Sequence, residues 1–244
     1  MKEIAKREGK EVVKGERSLA ERQREVLEKI RTRSLTAISE ILEEKEFVIL
    51  DCDNSGSMEG EKLKKLKEAI LEFILAKEKI DPRDRTALVS FGGTPQKWFD
   101  FTNDKELVRR KVSELIADGG TPMGEGLSLC RTMFNELKKK KIISQPRIIL
   151  LSDGQANGLG DPQKSIDEAR ALKELKVIID TIGFGEGKDL DEELLKRIAE
   201  ITGGKYLHVR DIYQLPKAYV KLAEKKMLPS QTKFFLDKGE SRLK

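Results

Sequence analysis

Apolar and polar positions alternate along the chain in two rhythms: short continuous runs and longer stripes at helical spacing. Phe47-Val48-Ile49-Leu50 is a run too short for a helix and rich in strand formers, so it predicts a fully buried strand. Glu61–Lys79 predicts a helix with Leu63, Leu66, Ile70, Phe73 and Ile74 inward, ended by Pro82. Thr86–Phe91 is a second buried strand. Gly92–Pro95 turns the chain back into Gln96–Phe101, which predicts an antiparallel hairpin with Trp98 and Phe99 covering a sheet edge. Helix 104–116 follows, with Leu107, Val108, Val112, Leu115 and Ile116 inward. Pro122 suits the first position of the next helix and Thr121 its N-cap. That helix, 122–140, carries the stripe Met123, Leu127, Cys130, Phe134, Leu137. Arg147–Ser152 is a buried strand that runs into Asp153-Gly154. Helix 162–175, strand Val177–Gly183, helix Leu190–Ile201, short strand Lys205–Val209 and a helix from Pro216 to about Met227 complete the pattern.

Strands alternating with helices predict an α/β fold: a doubly wound, mostly parallel sheet with one antiparallel edge strand. Ahead of it, residues 1–17 show no apolar periodicity. Ser18-Leu19-Ala20-Glu21 has capping-box spacing and opens a long amphipathic helix to about Glu44. This helix either packs on the same domain or docks a partner. The expected division is an N-terminal helical extension over 1–45, one α/β domain over 46–227 and a basic tail over 228–244.

Composition narrows the class. Charged residues make up 37% of the 244-residue chain, yet the net charge is only +5, so the excess charge belongs to an ion-paired surface. Only four asparagines and seven glutamines accompany the many Lys and Glu, a thermophile signature. From Tyr213 onward eight Lys/Arg face three Asp/Glu. The tail reads as a solvated, partly disordered end, with nucleic acid or anionic lipid as minor alternatives that no aromatic interleaving or nucleic-acid motif accompanies. The N-terminal MKEIAKREGK is charged throughout, so no signal peptide is expected, and no run approaches a membrane span. Cys52 and Cys130 make no disulfide framework and read as buried thiols. A cytoplasmic location is expected.

The candidate chemistry lies where the first strand ends. Asp53, Ser55 and Ser57 alternate, with Gly56 letting the backbone curl. Oxygen side chains at the carboxyl end of a buried strand suit a hard cation such as Mg²⁺. In doubly wound sheets ligands bind at that end, where Asp153 also falls. Thr121 heads a helix that could lie beside them.

This constellation resembles the metal-ion-dependent adhesion site (MIDAS) of the von Willebrand factor A (vWA) family. The match is Asp53-x-Ser55-x-Ser57, a threonine about 65 residues on in GGTPMG, and an aspartate about 30 later in LLSDG. TIGFG at 181–185 and the closing segment GGKYLHV…LPKAY are also similar to that family. The resemblance spans roughly 46–227 and implies the family's Rossmann-like vWA fold with a bound Mg²⁺ or Mn²⁺. It implies that Ser55 and Ser57 bind the ion directly, Thr121 directly or through water, and Asp53 and Asp153 mostly through water. The implied partner is a protein that supplies a carboxylate to the ion. Microbial vWA proteins of the cytoplasm often act beside MoxR-type AAA+ ATPases, so an adaptor role is implied too. The alternative is a metal-containing module of a nucleic-acid-associated or stress-related complex. The family also implies that the helix opening at Pro216 shifts with metal coordination.

Other residues have competing readings. Asp51 either accepts a bond from serine or water in support of the site, or pairs with a lysine from a covering helix. Glu59 and Glu61 belong either to an adjacent ion site or to a solvated helix start. His208 reads as structural. Lys62 and Arg131 lie on helices flanking the site without a mark of catalysis. No nucleophile–base pair, GxxxxGK[ST] loop or GxGxxG turn is present, so an enzyme, a metal-dependent hydrolase included, is not expected.

Overall fold

A computed structural model describes residues 45–140, 145–156, 161–185 and 190–224, together with Arg24, Leu27, Glu28 and Arg31. The chain divides into two units, Met1–Ile41 and Leu42–Lys244. In the first unit the four described residues are helical. The rest of the expected N-terminal helix and the tail 228–244 lie outside the described residues. No described helix is long and apolar enough to cross a membrane.

The second unit begins with β1 (Glu46–Cys52) and a single 3₁₀ turn, Gly56–Met58, followed by α1 (Glu61–Ile80). The hairpin β2 (Arg85–Ser90) and β3 (Gln96–Thr102) is followed by α2 (Lys105–Ser113) and α3 (Met123–Lys139). Then come β4 (Gln145–Ser152), α4 (Gln163–Glu174), β5 (Ile178–Phe184), α5 (Glu192–Thr202), β6 (Tyr206–Val209) and α6 (Leu215–Glu224). The described strands form one six-stranded sheet in the order β3-β2-β1-β4-β5-β6. Every pairing is parallel except β2 with β3.

The strand β1 is central because all seven of its residues are buried. Its side chains alternate between two cores, as a strand's must. Val48, Leu50 and Cys52 pack with Leu66, Ile70 and Phe73 of α1 and Tyr219 of α6. Phe47 and Ile49 pack with Leu127 and Phe134 of α3 and Leu195 of α5. Each such side chain removed from water stabilises the fold by about 1.5–3 kcal/mol. From β1 the chain builds β2 and β3 to one side and β4, β5 and β6 to the other. The carboxyl end of β1 is therefore a topological switch point.

Two expectations need correction. Helix α2 stops at Ser113 and leaves Leu115 buried but Ile116 64% exposed. The chain has left the helix there, and the Ile116 carbonyl accepts a bond from Asn54 Nδ2 at 2.8 Å. Helix α3 opens at Met123, with Pro122 rather than Thr121 at the N-cap position. Both cysteines are free and buried. Burial pushes both thiols up, as expected of packing residues.

Candidate metal centre

The loop after β1 is held from three sides. Asp53 N donates to Leu151 O of β4 at 2.9 Å. Ser55 N donates back to Asp53 Oδ1 at 2.9 Å, an aspartate-initiated turn. Met58 N donates to Ser55 O at 2.9 Å and closes the 3₁₀ turn. Asn54 ties this loop to its neighbours. Its Oδ1 accepts from Gly92 N at 2.5 Å, and its backbone carbonyl accepts from Asp118 N at 2.8 Å. Gly56 N donates to Gly119 O at 3.0 Å, which lays the Thr121 loop against the Asp53–Ser57 loop. Two glycines make room for this approach. A Cβ on Gly92 would stand 2.4 Å from Asn54 O, and one on Gly119, whose φ is +70°, would stand 2.4 Å from Gly93.

The candidate oxygens converge as that framework dictates. Ser55 Oγ and Ser57 Oγ are 3.0 Å apart, and Ser57 Oγ donates to Asp153 Oδ1 at 2.8 Å. The second Asp153 oxygen accepts from Lys62 Nζ of α1. Asp53 Oδ2 accepts from Ser152 Oγ at 2.6 Å. Asp53, Ser55, Thr121 and Asp153 are buried and Ser57 is exposed, so the cluster opens to solvent at Ser57. The bonds join Ser55, Ser57 and Asp153 directly. Asp53 is joined through the Ser55 backbone, and Thr121 through the loop that Gly56 holds.

Burial pushes the Asp53 carboxyl up to about 6, against the bonds from Ser152 and Ser55 and with the Asp153 charge adding to the rise. A buried carboxyl of this kind gains by facing a cation. The donors are two carboxylates and three hydroxyls, and no group of three or more His, Cys, Asp or Glu gathers as metal ligands among the described residues. Such an oxygen-only, hydroxyl-rich set fits a small hard cation.

Three participants carry little sign of their role in the sequence. Ser152 and Asn54 show no signal beyond lying beside the candidate aspartates. Lys62 is visible there as a flanking lysine, but its reach to Asp153 is not.

The other candidates are separate from the cluster. Asp51 points between β1 and α3. Both its oxygens are buried and neither a serine nor a lysine bonds to them, which corrects those two expectations; the weakly donating Cys130 thiol faces the carboxyl instead. Gly126 makes space for it, since a Cβ there would lie 3.1 Å from Asp51 Oδ1. Burial first, with the Asp53 charge adding and the Cys130 thiol opposing, pushes its carboxyl up to about 8. Glu59 and Glu61 are exposed, and Glu61 pairs with Lys64 at 3.2 Å in the first turn of α1. Arg131 pairs with Glu168 of α4, its Nε 2.5 Å from the carboxylate. His208 lies between Gly185 O at 2.8 Å and Glu192 Oε1 at 3.3 Å.

Comparison with known proteins agrees with this architecture. The sequence profile of the von Willebrand factor type A domain matches residues 48–220. An uncharacterized protein of Synechocystis sp. is 27% identical over 161 residues, covering 65% of this chain and 36% of its own. A UPF0353 protein of Mycolicibacterium gilvum is 24% identical over 201 residues, covering 72% of this chain and 59% of its own. The chain thus spans less than two thirds of the length of either relative. Among solved structures, a von Willebrand factor type A protein from Catenulispora acidiphila superposes with a TM-score of 0.65 at 20% identity, covering 75% of this chain and 42% of its own.

Proposed function

The chain belongs to the von Willebrand factor type A family, whose domains are generally protein–protein interaction modules, and from that premise we propose that it binds its partner through a divalent cation. Ser55, Ser57 and Thr121 supply neutral oxygens to the ion, and Asp53 and Asp153 supply the negative charge. The ion is Mg²⁺ or Mn²⁺, and when bound it offers an electrophilic position that a partner's Asp or Glu fills. The protein's own contribution is to hold the five side chains through Asn54, Ser152 and Gly92, and to leave the Ser57 side open for the carboxylate. The observation that carries this reading is the bonded chain Ser55–Ser57–Asp153 beside buried Asp53 at the switch point of the sheet.

Cation binding is tested by thermal melts in Mg²⁺, Mn²⁺ and EDTA. A ligand that binds only the folded state raises the melting temperature with its concentration. The wild type rises with Mn²⁺, whereas Asp53→Ala and Thr121→Ala do not. Identical melts in Mn²⁺ and EDTA, with no heat of Mn²⁺ binding by calorimetry, would overturn the reading. A cytoplasmic adaptor role beside a MoxR-type AAA+ ATPase is the finer form of the proposal, supported by the family resemblance. It requires an ATPase that co-purifies in Mg²⁺ and is released by EDTA. Recovery of nucleic acid released by salt alone would favour the other class of partner.

A further inference from the structure

We infer that Lys62 is a resident counter-ion of Asp153 that keeps cation binding weak until a carboxylate ligand arrives. The inference rests on the cation-dependent reading above and adds a regulator to that site. Both oxygens of Asp153 are engaged, Oδ1 by Ser57 and Oδ2 by the Lys62 ammonium. The Asp153 side chain is fully buried, so the ammonium takes the place of solvent around its charge, whereas the Lys62 side chain is 38% exposed. Lys62 is the second residue of α1, and its ammonium also stands 5.6 Å from the centre of the Phe184 ring. A long stem rooted at a helix end and open to water lets the charged head leave without unfolding anything.

The charge count gives this contact its consequence. Asp53 and Asp153 bring two negative charges to a doubly charged ion, and Lys62 cancels one of them. Affinity at oxygen-only sites rises with the number of carboxylates, and the two aspartates have no third acidic ligand among the described residues. A cation entering alone meets a site of net charge −1 and must compete with the ammonium for Asp153. A cation entering with a carboxylate regains the missing charge, and Lys62 is displaced towards solvent or the incoming acid. Cation and carboxylate therefore bind cooperatively, each tightening the other by the same factor.

The test uses the full chain, with Mn²⁺ as the ion and acetate as the carboxylate, and follows free Mn²⁺ by electron paramagnetic resonance. Even at the dielectric constant of water, a unit charge ~6 Å from a divalent ion changes its binding about tenfold. Lys62→Gln is thus expected to bind Mn²⁺ about tenfold more tightly than wild type, and acetate at constant ionic strength to tighten Mn²⁺ binding more in wild type than in Lys62→Gln. Lys62→Arg keeps the charge and is expected to follow wild type, whereas Lys62→Met keeps the length without the charge and is expected to follow Lys62→Gln, which a purely steric role for the side chain would not produce. Melts of the metal-free variants establish that each is folded. If wild type and Lys62→Gln bind Mn²⁺ equally and Asp53→Ala abolishes binding, the counter-ion role is wrong and the metal site stands. If none of the folded variants binds Mn²⁺, both readings fall.

Discussion

Arg147 and Asp180 face each other across β4 and β5 with neither side chain exposed. Arg147 donates to Asp180 Oδ2 from Nε at 2.9 Å and from Nη2 at 2.5 Å. Its Nη1 donates to Leu222 O at 2.8 Å, in the last turn of α6, where the helix dipole favours a cation. Asp180 Oδ1 also accepts from Lys205 N at 2.8 Å. One ion pair thereby joins two central strands, the start of β6 and the final helix. Removing one partner strands a buried charge, which costs ~3–5 kcal/mol, whereas replacing both costs less. Asp180→Ala is expected to lose about that much in urea unfolding, and the double variant with Arg147→Met to lose less. A single variant within ~1 kcal/mol of wild type would show that the pair does not hold these elements together.

Most of this frame was legible because buried parallel strands announce themselves as apolar runs. Phe47–Leu50 and Ile148–Leu151 have no polar position to blur the pattern. Of the metal cluster, the oxygens were legible from spacing and resemblance, but their supports were not. Asn54 sits between the residues that the alternation singles out, and its work is done by bonds to Gly92 and Ile116, far along the chain. Lys62 meets Asp153 across 91 residues, and a lysine in the first turn of a helix looks like any surface lysine. The stripe of α2 appeared to continue through Ile116 because periodicity carries no stop signal there. Beyond the stop, the Ile116 carbonyl is tied to Asn54.

The close approach of the loops makes a glycine prediction. A Cβ on Gly92 would meet Asn54 O at 2.4 Å and Asp118 O at 2.5 Å, both rigid backbone atoms. A Cβ on Gly56 would meet Gly119 O at 3.7 Å, an ordinary contact. Gly92→Ala is expected to cost ~1–3 kcal/mol, the usual range for overpacking, and to weaken Mn²⁺ binding as the Thr121 loop is pushed away. Gly56→Ala is expected to keep stability within ~1 kcal/mol. Chemical denaturation of the two variants decides it, and equal losses would contradict the geometry.

Asp51 predicts a change in the pH dependence of stability. Its carboxyl rises from an ordinary 3.8 to about 8 in the folded chain, so between those values the folded state holds a proton that the unfolded state has released. The stability from this group is present below about pH 4 and is lost as pH rises through about 8. Asp51→Asn keeps the shape and removes the titration. Because a tenfold difference in proton affinity is worth about 1.4 kcal/mol, the variant is expected to gain at least ~2 kcal/mol on wild type between about pH 5 and about pH 8.5. Urea unfolding at both pH values in EDTA measures the difference. Parallel pH profiles would mean that the Asp51 carboxyl is ionised in the folded chain.

Asp53 carries the opposite consequence for cation binding. Its carboxyl rises to about 6, with burial as the largest cause. Without a cation, the stability from its protonation is present below about pH 4 and is lost as pH rises through about 6. An ion must displace that proton, because the ligands of a metal site bind it deprotonated. Mn²⁺ affinity is therefore expected to be nearly flat above about pH 7 and to fall about tenfold per pH unit below about pH 6. Lys62→Gln changes a charge beside the site and leaves Asp53 in place, so it should move the whole curve to tighter binding and leave its bend near pH 6. Calorimetric titration of wild type and Lys62→Gln from pH 5 to pH 8 separates the two effects. A wild-type affinity that stays constant from pH 5 to pH 7 would exclude Asp53 as the group whose proton the cation displaces.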